Sequence, residues 1–215
     1  MKAEPSVGDN KKRFCVGIFG SARIEKEDSN WLLIYDLAKR IAEEDMDIVT
    51  GGGPGLMSAA SEGHYAGDIS KNVQSIGLQI RLPKKQRDAH HLDIKKEFSR
   101  FSERLDNFIE LANAVVVAPG GVGTLLEFLY TWQLMQVKLI HDIPIILLGD
   151  MWLDFVDWIR KWSLEKRFLE QEDIDLLYLV NDTEDALIIV KKACEKFKKR
   201  RLKSSREELK GNQTK

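Results

Sequence analysis

Short apolar runs alternate with longer stretches whose apolar positions recur every three to four residues. Phe14-Cys15-Val16-Gly17-Ile18-Phe19 is a continuous apolar run that stops at Gly20-Ser21, the pattern of a strand buried on both faces. Leu33, Leu37 and Ile41 follow at helical spacing, behind Asp28 or Ser29, either of which can cap a helix. Asp47-Ile48-Val49-Thr50 predicts a second strand, ended by Gly51-Gly52-Gly53-Pro54-Gly55. From Leu56 to about Ala66 the small residues Ala59, Ala60 and Gly63 predict a helix packed closely on the sheet. Ser75-Ile76-Gly77-Leu78-Gln79-Ile80 is a third strand, closed by Arg81-Leu82-Pro83.

Residues 84 to 96 are polar and too long for a simple connection, so they are read as a lid or site loop. A helix is predicted from Phe98 to Leu111, with Phe101, Leu105, Phe108 and Leu111 on one face. Ala114-Val115-Val116-Val117-Ala118 is the most apolar strand and is assigned to the centre of the sheet. A helix from near Thr124 to about Lys138 comes next, then the strand Pro144-Ile145-Ile146-Leu147-Leu148 and a helix carrying Trp152, Phe155, Val156 and Ile159. Leu177-Tyr178-Leu179-Val180 is the last strand, and Asn181 or Asp182 caps the last helix. This order predicts one α/β domain over residues 13–197, a Rossmann-like doubly wound parallel sheet with helices on both faces. Residues 1–12 and 198–215 are expected to be flexible tails.

Composition narrows the function classes. The 215 residues are 43% hydrophobic, enough for one sizeable core. Lys and Arg number 33 against 34 Asp and Glu, which gives no electrostatic reason to expect nucleic acid or an anionic membrane as partner. No apolar run reaches the roughly 18 residues of a spanning helix, and residues 1–12 lack the apolar stretch of a secretory signal. A cytoplasmic protein is expected, with Cys15 and Cys194 as reduced, buried thiols. His90-His91 has no third ligand at zinc spacing, so no metal is expected. Trp132, Trp152, Trp158 and Trp162 fall on amphipathic helices as core or subunit-interface residues. The basic run from Lys198 to Lys203 is read as a solvated helix end rather than a binding patch.

Ligands of doubly wound sheets sit outside the carboxyl ends of the strands, and three glycine-bearing loops fall at such ends. In Pro119-Gly120-Gly121-Val122-Gly123-Thr124 the glycines let a phosphate approach the backbone, and the helix behind it offers unpaired N–H groups and a positive dipole end. Thr124 adds a hydroxyl donor. No Lys follows the last glycine, so this is not a Walker A loop and it calls for no magnesium. The alternative is a tight turn without a ligand. Thr124 and Glu127 fit a capping box, which is the reading their spacing favours, although Glu127 also stands at the mouth of the proposed site. Gly52 and Gly53 in the second loop and Gly20 and Ser21 in the third complete the set of backbone cradles.

Gly51-Gly52-Gly53-Pro54-Gly55-Leu56-Met57 and Pro119-Gly120-Gly121-Val122-Gly123-Thr124-Leu125-Leu126-Glu127 together resemble the two signatures of the LONELY GUY (LOG) family, the second of which reads PGGxGTxxE. That family was long labelled as lysine decarboxylases. The resemblance runs from about Arg13 to Phe197 and includes Gly20-Ser21-Ala22-Arg23 and Leu82-Pro83. It implies a homodimeric phosphoribohydrolase without cofactor that cleaves the N-glycosidic bond of purine or cytokinin nucleoside 5′-monophosphates. Its catalytic pair would be Arg104 and Glu127, with Gly120, Gly121, Val122, Gly123 and Thr124 around the phosphate. The helix bearing Trp132 would lie at the dimer interface.

Three positions depart from the family pattern: Leu105 where Lys follows the Arg, Asn113 where Asp precedes the central strand, and Val122 where Tyr or Phe is frequent. Leu105 and Val122 leave room for a second class, a non-catalytic carrier of a nucleotide or of the molybdenum cofactor on the same fold, which the retention of Arg104 and Glu127 opposes. The decarboxylase label is set aside, because Lys71, Lys84 and Lys85 have no pyridoxal-phosphate context.

Overall fold

The computed structural model describes residues 13–83 and 87–211, with 204–211 as helix backbone only. In chain order the elements are β1 (Cys15–Phe19), α1 (Ser29–Glu43), β2 (Asp47–Thr50), α2 (Leu56–Gly67), β3 (Ser75–Ile80), β4 (Ile94–Phe98), α3 (Phe101–Leu111) and β5 (Ala114–Val117). They continue with α4 (Val122–Gln136), β6 (Ile145–Leu148), α5 (Met151–Ile159), α6 (Gln171–Ile174), β7 (Leu177–Val180) and α7 (Thr183–Gly211). A π-helical turn, Arg160–Leu164, extends α5. Of the residues assigned to tails, 1–12 and 212–215 lie outside the described residues, as do Lys84 and Lys85, whereas 198–211 continue the helix α7.

The seven strands form one sheet in the order β4-β3-β2-β1-β5-β6-β7, and every neighbouring pair is parallel. The sheet grows outward from β1 to β4, then resumes on the other side of β1 with β5. That reversal is a topological switch point, and it opens a crevice between the loops that follow β1 and β5. Val16 on β1 pairs with Ala114 on β5, and Phe19 with Val117, so the two strands end level.

Each face of the sheet carries its own core. On one face Ile34, Leu37 and Ile41 of α1, Leu56, Ala59 and Ala60 of α2, and Leu187 and Val190 of α7 pack on Val16, Ile18, Ile48 and Val116. On the other Phe108 of α3, Phe128 and Trp132 of α4 and Trp152 of α5 pack on Phe19, Leu78, Val115 and Leu147. Asp28 caps α1 by accepting the Asn30 N–H at 2.8 Å, and Asp182 accepts the Asp185 N–H at the start of α7. Both cysteines are buried and free. Among the described residues no helix is long and apolar enough to cross a membrane.

Three expectations need correction. Residues 94–96, assigned to a polar loop, and Phe98, assigned to the start of the next helix, belong to the edge strand β4, and α3 begins only at Phe101; in β4 only Ile94 and Phe98 are buried, and the intervening Lys95, Lys96 and Glu97 give it the charged look of a protected edge. The central strand is β1, with β5 beside it. Gly63 packs on α1 rather than on the sheet, for a β-carbon there would lie 2.1 Å from the Tyr35 carbonyl oxygen.

Candidate functional site

Two hydrogen bonds tie the three glycine loops together at the switch point. Ser21 N–H donates to the Pro119 carbonyl at 3.1 Å, and Leu56 N–H donates to the Ser21 carbonyl at 2.9 Å. Gly20, Ser21, Gly52, Gly53 and the residues 120–124 thus share one rim. The Ser21 hydroxyl oxygen accepts from Arg23 N–H at 3.1 Å, which holds that loop tightly turned.

The helix α4 starts without a side-chain cap: Gly121 is the capping residue, and the first N–H bonded inside the helix is that of Leu125, to the Gly121 carbonyl at 3.0 Å. The N–H groups of Val122, Gly123 and Thr124 precede that bond, at the positive end of the helix dipole. The capping-box reading is therefore corrected. Thr124 stands inside the first turn, buried against Gly120, and Glu127 turns its carboxylate away from the helix start to Arg104. Val122 is 83% exposed at the tip of the loop.

Glycine at 121 and 123 has no internal explanation. A β-carbon at either position would meet nothing within 4 Å, and neither residue has a positive φ. The protein's own packing would accept larger residues there, and the space beside both glycines is open.

The amphipathic pattern of α3 buries Leu105, Phe108 and Leu111, and Arg104 shares that inner face. Its guanidinium sits 5.0 Å from the Phe108 ring, donates from Nε to the Leu78 carbonyl at 2.7 Å, and places Nη2 2.8 Å from Oε1 of Glu127. Gly51 completes the slot, since a β-carbon there would lie 2.6 Å from Nη2 and 2.7 Å from the Met57 sulfur. Both charged side chains are about nine-tenths buried, with 8% and 10% exposure. Burial pushes the Glu127 carboxyl above its ordinary value, while the charge and hydrogen bond of Arg104 oppose that rise. The pair thus lies one helical turn inside the positive end of the α4 dipole.

Gly51, Met57 and the Leu78 carbonyl escaped the sequence reading as parts of the Arg104 slot. The triple glycine at 51–53 was the one available signal; the carbonyl had none. Gln79 was also missed. Its Nε2 donates to the Gly52 carbonyl at 2.8 Å and to Oδ1 of Asp88 at 2.9 Å, while Ala89 N–H donates to the same carbonyl at 2.9 Å. The segment before β4 is pinned in this way to the second glycine loop.

The departures fall in different places. Asn113 lies at the far end of β5, where its Oδ1 accepts the Cys15 N–H at 2.9 Å, an acceptor that Asp would equally supply. Leu105 is buried beside Arg104. Trp132 is spent inside the subunit, stacked on Phe128 with centroids 5.6 Å apart.

Fold and site define an α/β protein with a glycine-lined crevice at its switch point and a buried Arg–Glu pair beside it. The chain belongs to the family described as possible lysine decarboxylase, the LOG-type family: residues 57–190, more than half of it, match. The pyrimidine/purine nucleotide 5′-monophosphate nucleosidase of Escherichia coli K12 is 27% identical over 131 residues, which are 57% of this chain and 28% of that protein. The cytokinin riboside 5′-monophosphate phosphoribohydrolase LOG of Oryza sativa subsp. japonica is 30% identical over 161 residues, 70% of this chain and 63% of the rice protein. The chain therefore spans less than two thirds of either relative. Among solved structures, the molybdenum cofactor binding protein of Rippkaea orientalis superposes with a TM-score of 0.65 at 19% identity, covering 85% of this chain and 98% of its own. At that identity the likeness is one of fold.

Proposed function

We propose that this protein hydrolyses the N-glycosidic bond of a purine or cytokinin nucleoside 5′-monophosphate, releasing the free base and ribose 5-phosphate. The observation that carries the reading is the buried Arg104–Glu127 pair beside the uncapped start of α4. The 5′-phosphate would lie on the N–H groups of Val122, Gly123 and Thr124, in the space that Gly121 and Gly123 leave open. Four residues of helix separate Gly123 from Glu127, about 6 Å along the axis, a span that a ribose bridges from its phosphate to its ring. Binding of the non-reacting phosphate then orients the sugar.

Glu127 faces the ribose and stabilises the positive charge that develops at C1′ as the bond to the base nitrogen breaks. Water adds its oxygen to C1′, and its proton leaves with the base nitrogen. The guanidinium of Arg104, with Nη2 on Glu127 and Nε on Leu78, serves as the partner that keeps the carboxylate ionised in a buried place. The names of the bacterial and rice relatives fit this chemistry.

A second copy of the chain would pack against the outward side of α4, where Val122, Leu126 and Leu129 are exposed. Light scattering on the purified protein measures that assembly directly.

Chromatography of AMP, GMP, CMP, UMP and a cytokinin nucleotide after incubation with pure protein tests the activity. Adenine and ribose 5-phosphate are expected in equal amounts from AMP. Absence of base from every nucleotide would sink the reading, and tight binding of AMP or a molybdopterin without turnover would replace it with a carrier.

A further inference from the structure

Charge is distributed unevenly along the chain. Residues 191–203 hold eight Lys and Arg against one Glu, a net +7; the whole chain carries −1, so everything outside this stretch carries −8. The helix α7 runs through the stretch, and a dipole of this size between helix and body steers anionic partners to the helix.

Lys192, Lys196 and Arg200 recur every four residues and line one groove of about 1190 Å³. Among the described residues none of the three forms an ion pair, whereas their neighbour Lys191 is paired with Glu44 at 2.6 Å. Phe14, Ile143, Tyr178 and Phe197 supply apolar lining. The groove lies at the start of the strands: Phe14, Asn113, Pro144 and Leu176, each the residue just before a strand, all border it. The crevice with Arg104 and Glu127 is at the opposite end of the sheet, and none of its glycine loops reaches the groove.

We propose that this groove is a docking site for an acidic segment of a partner protein. The segment binds in extended form, its carboxylates on Lys192, Lys196 and Arg200 and its intervening apolar side chains against Phe14, Tyr178 and Phe197. The repeats match: four residues of helix advance about 6 Å, and alternate side chains of an extended peptide advance about 6.7 Å.

The other lining segments select against other polyanions. Glu110, Asp142 and Asp175 also border the groove, and Asp142 is only partly compensated by Lys138 at 3.5 Å. A nucleic-acid strand, charged at every unit, would have to lie against these carboxylates. An anionic membrane is too flat to enter the concavity. A peptide that alternates acidic and apolar residues meets both constraints.

Fluorescence anisotropy of the full chain at low ionic strength tests the proposal, with a labelled peptide alternating Glu with Leu and Phe as probe. The peptide is expected to bind, to weaken with added salt, and to lose about tenfold or more in affinity in the K192E/K196E/R200E variant. A charge-matched reversal at Lys39, Lys161 and Lys166 should bind it as the wild type does. No binding, equal binding to the K192E/K196E/R200E variant, or tighter binding of an oligouridylate or of phosphatidylglycerol vesicles would overturn the proposal. Nucleotide hydrolysis is not involved in any arm, so the result stands whether or not the chain is a ribosidase.

Discussion

Nη2 of Arg104 lies 2.8 Å from Oε1 of Glu127, although helix, strand and loop separate the two residues in the chain. The pair is buried, so its two halves are unequal under substitution. Arg104→Ala leaves a carboxylate unpaired in the interior and should lower stability by about 3–5 kcal/mol. Glu127→Gln keeps shape and an acceptor for Nη2, so it should cost far less while lowering AMP turnover about a hundredfold or more. Urea denaturation and a kcat measurement on the two variants check this. An Arg104→Ala protein as stable as the wild type would mean that the pair does not form.

The glycines of the crevice divide into two kinds. Alanine at 121 or 123 meets open space, so neither variant should lose more than about 1 kcal/mol, and Gly123→Ala, inside the first turn of α4, should be as stable as the wild type or slightly more so. The same methyl would occupy the phosphate's place and raise KM for the nucleotide. Alanine at 51 instead drives into Nη2 of Arg104 and the Met57 sulfur. That variant should lose kcat with KM less affected, because it displaces the partner of Glu127 rather than the phosphate cradle. Steady-state kinetics of the three variants separate the roles, and identical kinetic defects would contradict the division.

Asp47, at the start of β2 and far from the crevice, makes a stability prediction. It is fully buried, its Oδ1 accepts the Gln74 N–H at 2.9 Å, and its Oδ2 has no hydrogen-bond partner among the described residues. Burial, partly offset by that hydrogen bond, raises its pKa from 3.8 to about 6. A raised carboxyl holds its proton in the folded state over a range where the unfolded chain has released it. The stabilisation is thus present at low pH and is lost as pH rises from about 4 to about 6. Asp47→Asn keeps the acceptor and removes the titration, so it should gain stability relative to wild type as pH rises through that window. Parallel melting curves across it would show the gap opening; a gap that is flat or closes would contradict the assignment.

Much of this fold was legible because its strands are short apolar runs bounded by turn residues. Asp47–Thr50, Ser75–Ile80 and Leu177–Val180 match their predicted limits to the residue. The strand Ile94–Phe98 was not legible, since an edge strand exposed along its middle carries Lys-Lys-Glu where a core strand carries Val or Ile. Strand order was hidden as well: β1 and β5 are equally buried, and nothing local tells the central strand from its neighbour. The glycine loops could be read as a crevice because they recur at strand ends. The slot around Arg104 could not, for it needs the Leu78 carbonyl and Gly51 brought beside α3 by the order β3-β2-β1. The capping box misled because Thr124 and Glu127 have its spacing while the helix begins at Val122, one turn too early for that role.

The same order gives the pair a pH signature. Burial lifts the Glu127 carboxyl above its ordinary 4.5, and Arg104 opposes the lift. If ionised Glu127 is the active form, activity falls as pH drops through its pKa, and the acid limb of the kcat profile should lie above the ordinary carboxylate range. Removing the guanidinium charge removes the opposing influence, so Arg104→Gln should move the titration further upward. The carbon-13 chemical shift of the Glu127 carboxyl follows this even in a variant with no turnover. Linkage has the sign found for Asp47: the folded state keeps the proton longer, and the raised carboxyl withdraws stability as pH climbs past its unfolded value. Glu127→Gln should therefore gain on the wild type between acid and neutral pH, and gain more in the Arg104→Gln background, where the buried carboxylate has lost its counter-charge. A titration that moves downward when Arg104 is neutralised would show that the two side chains do not interact through charge in solution.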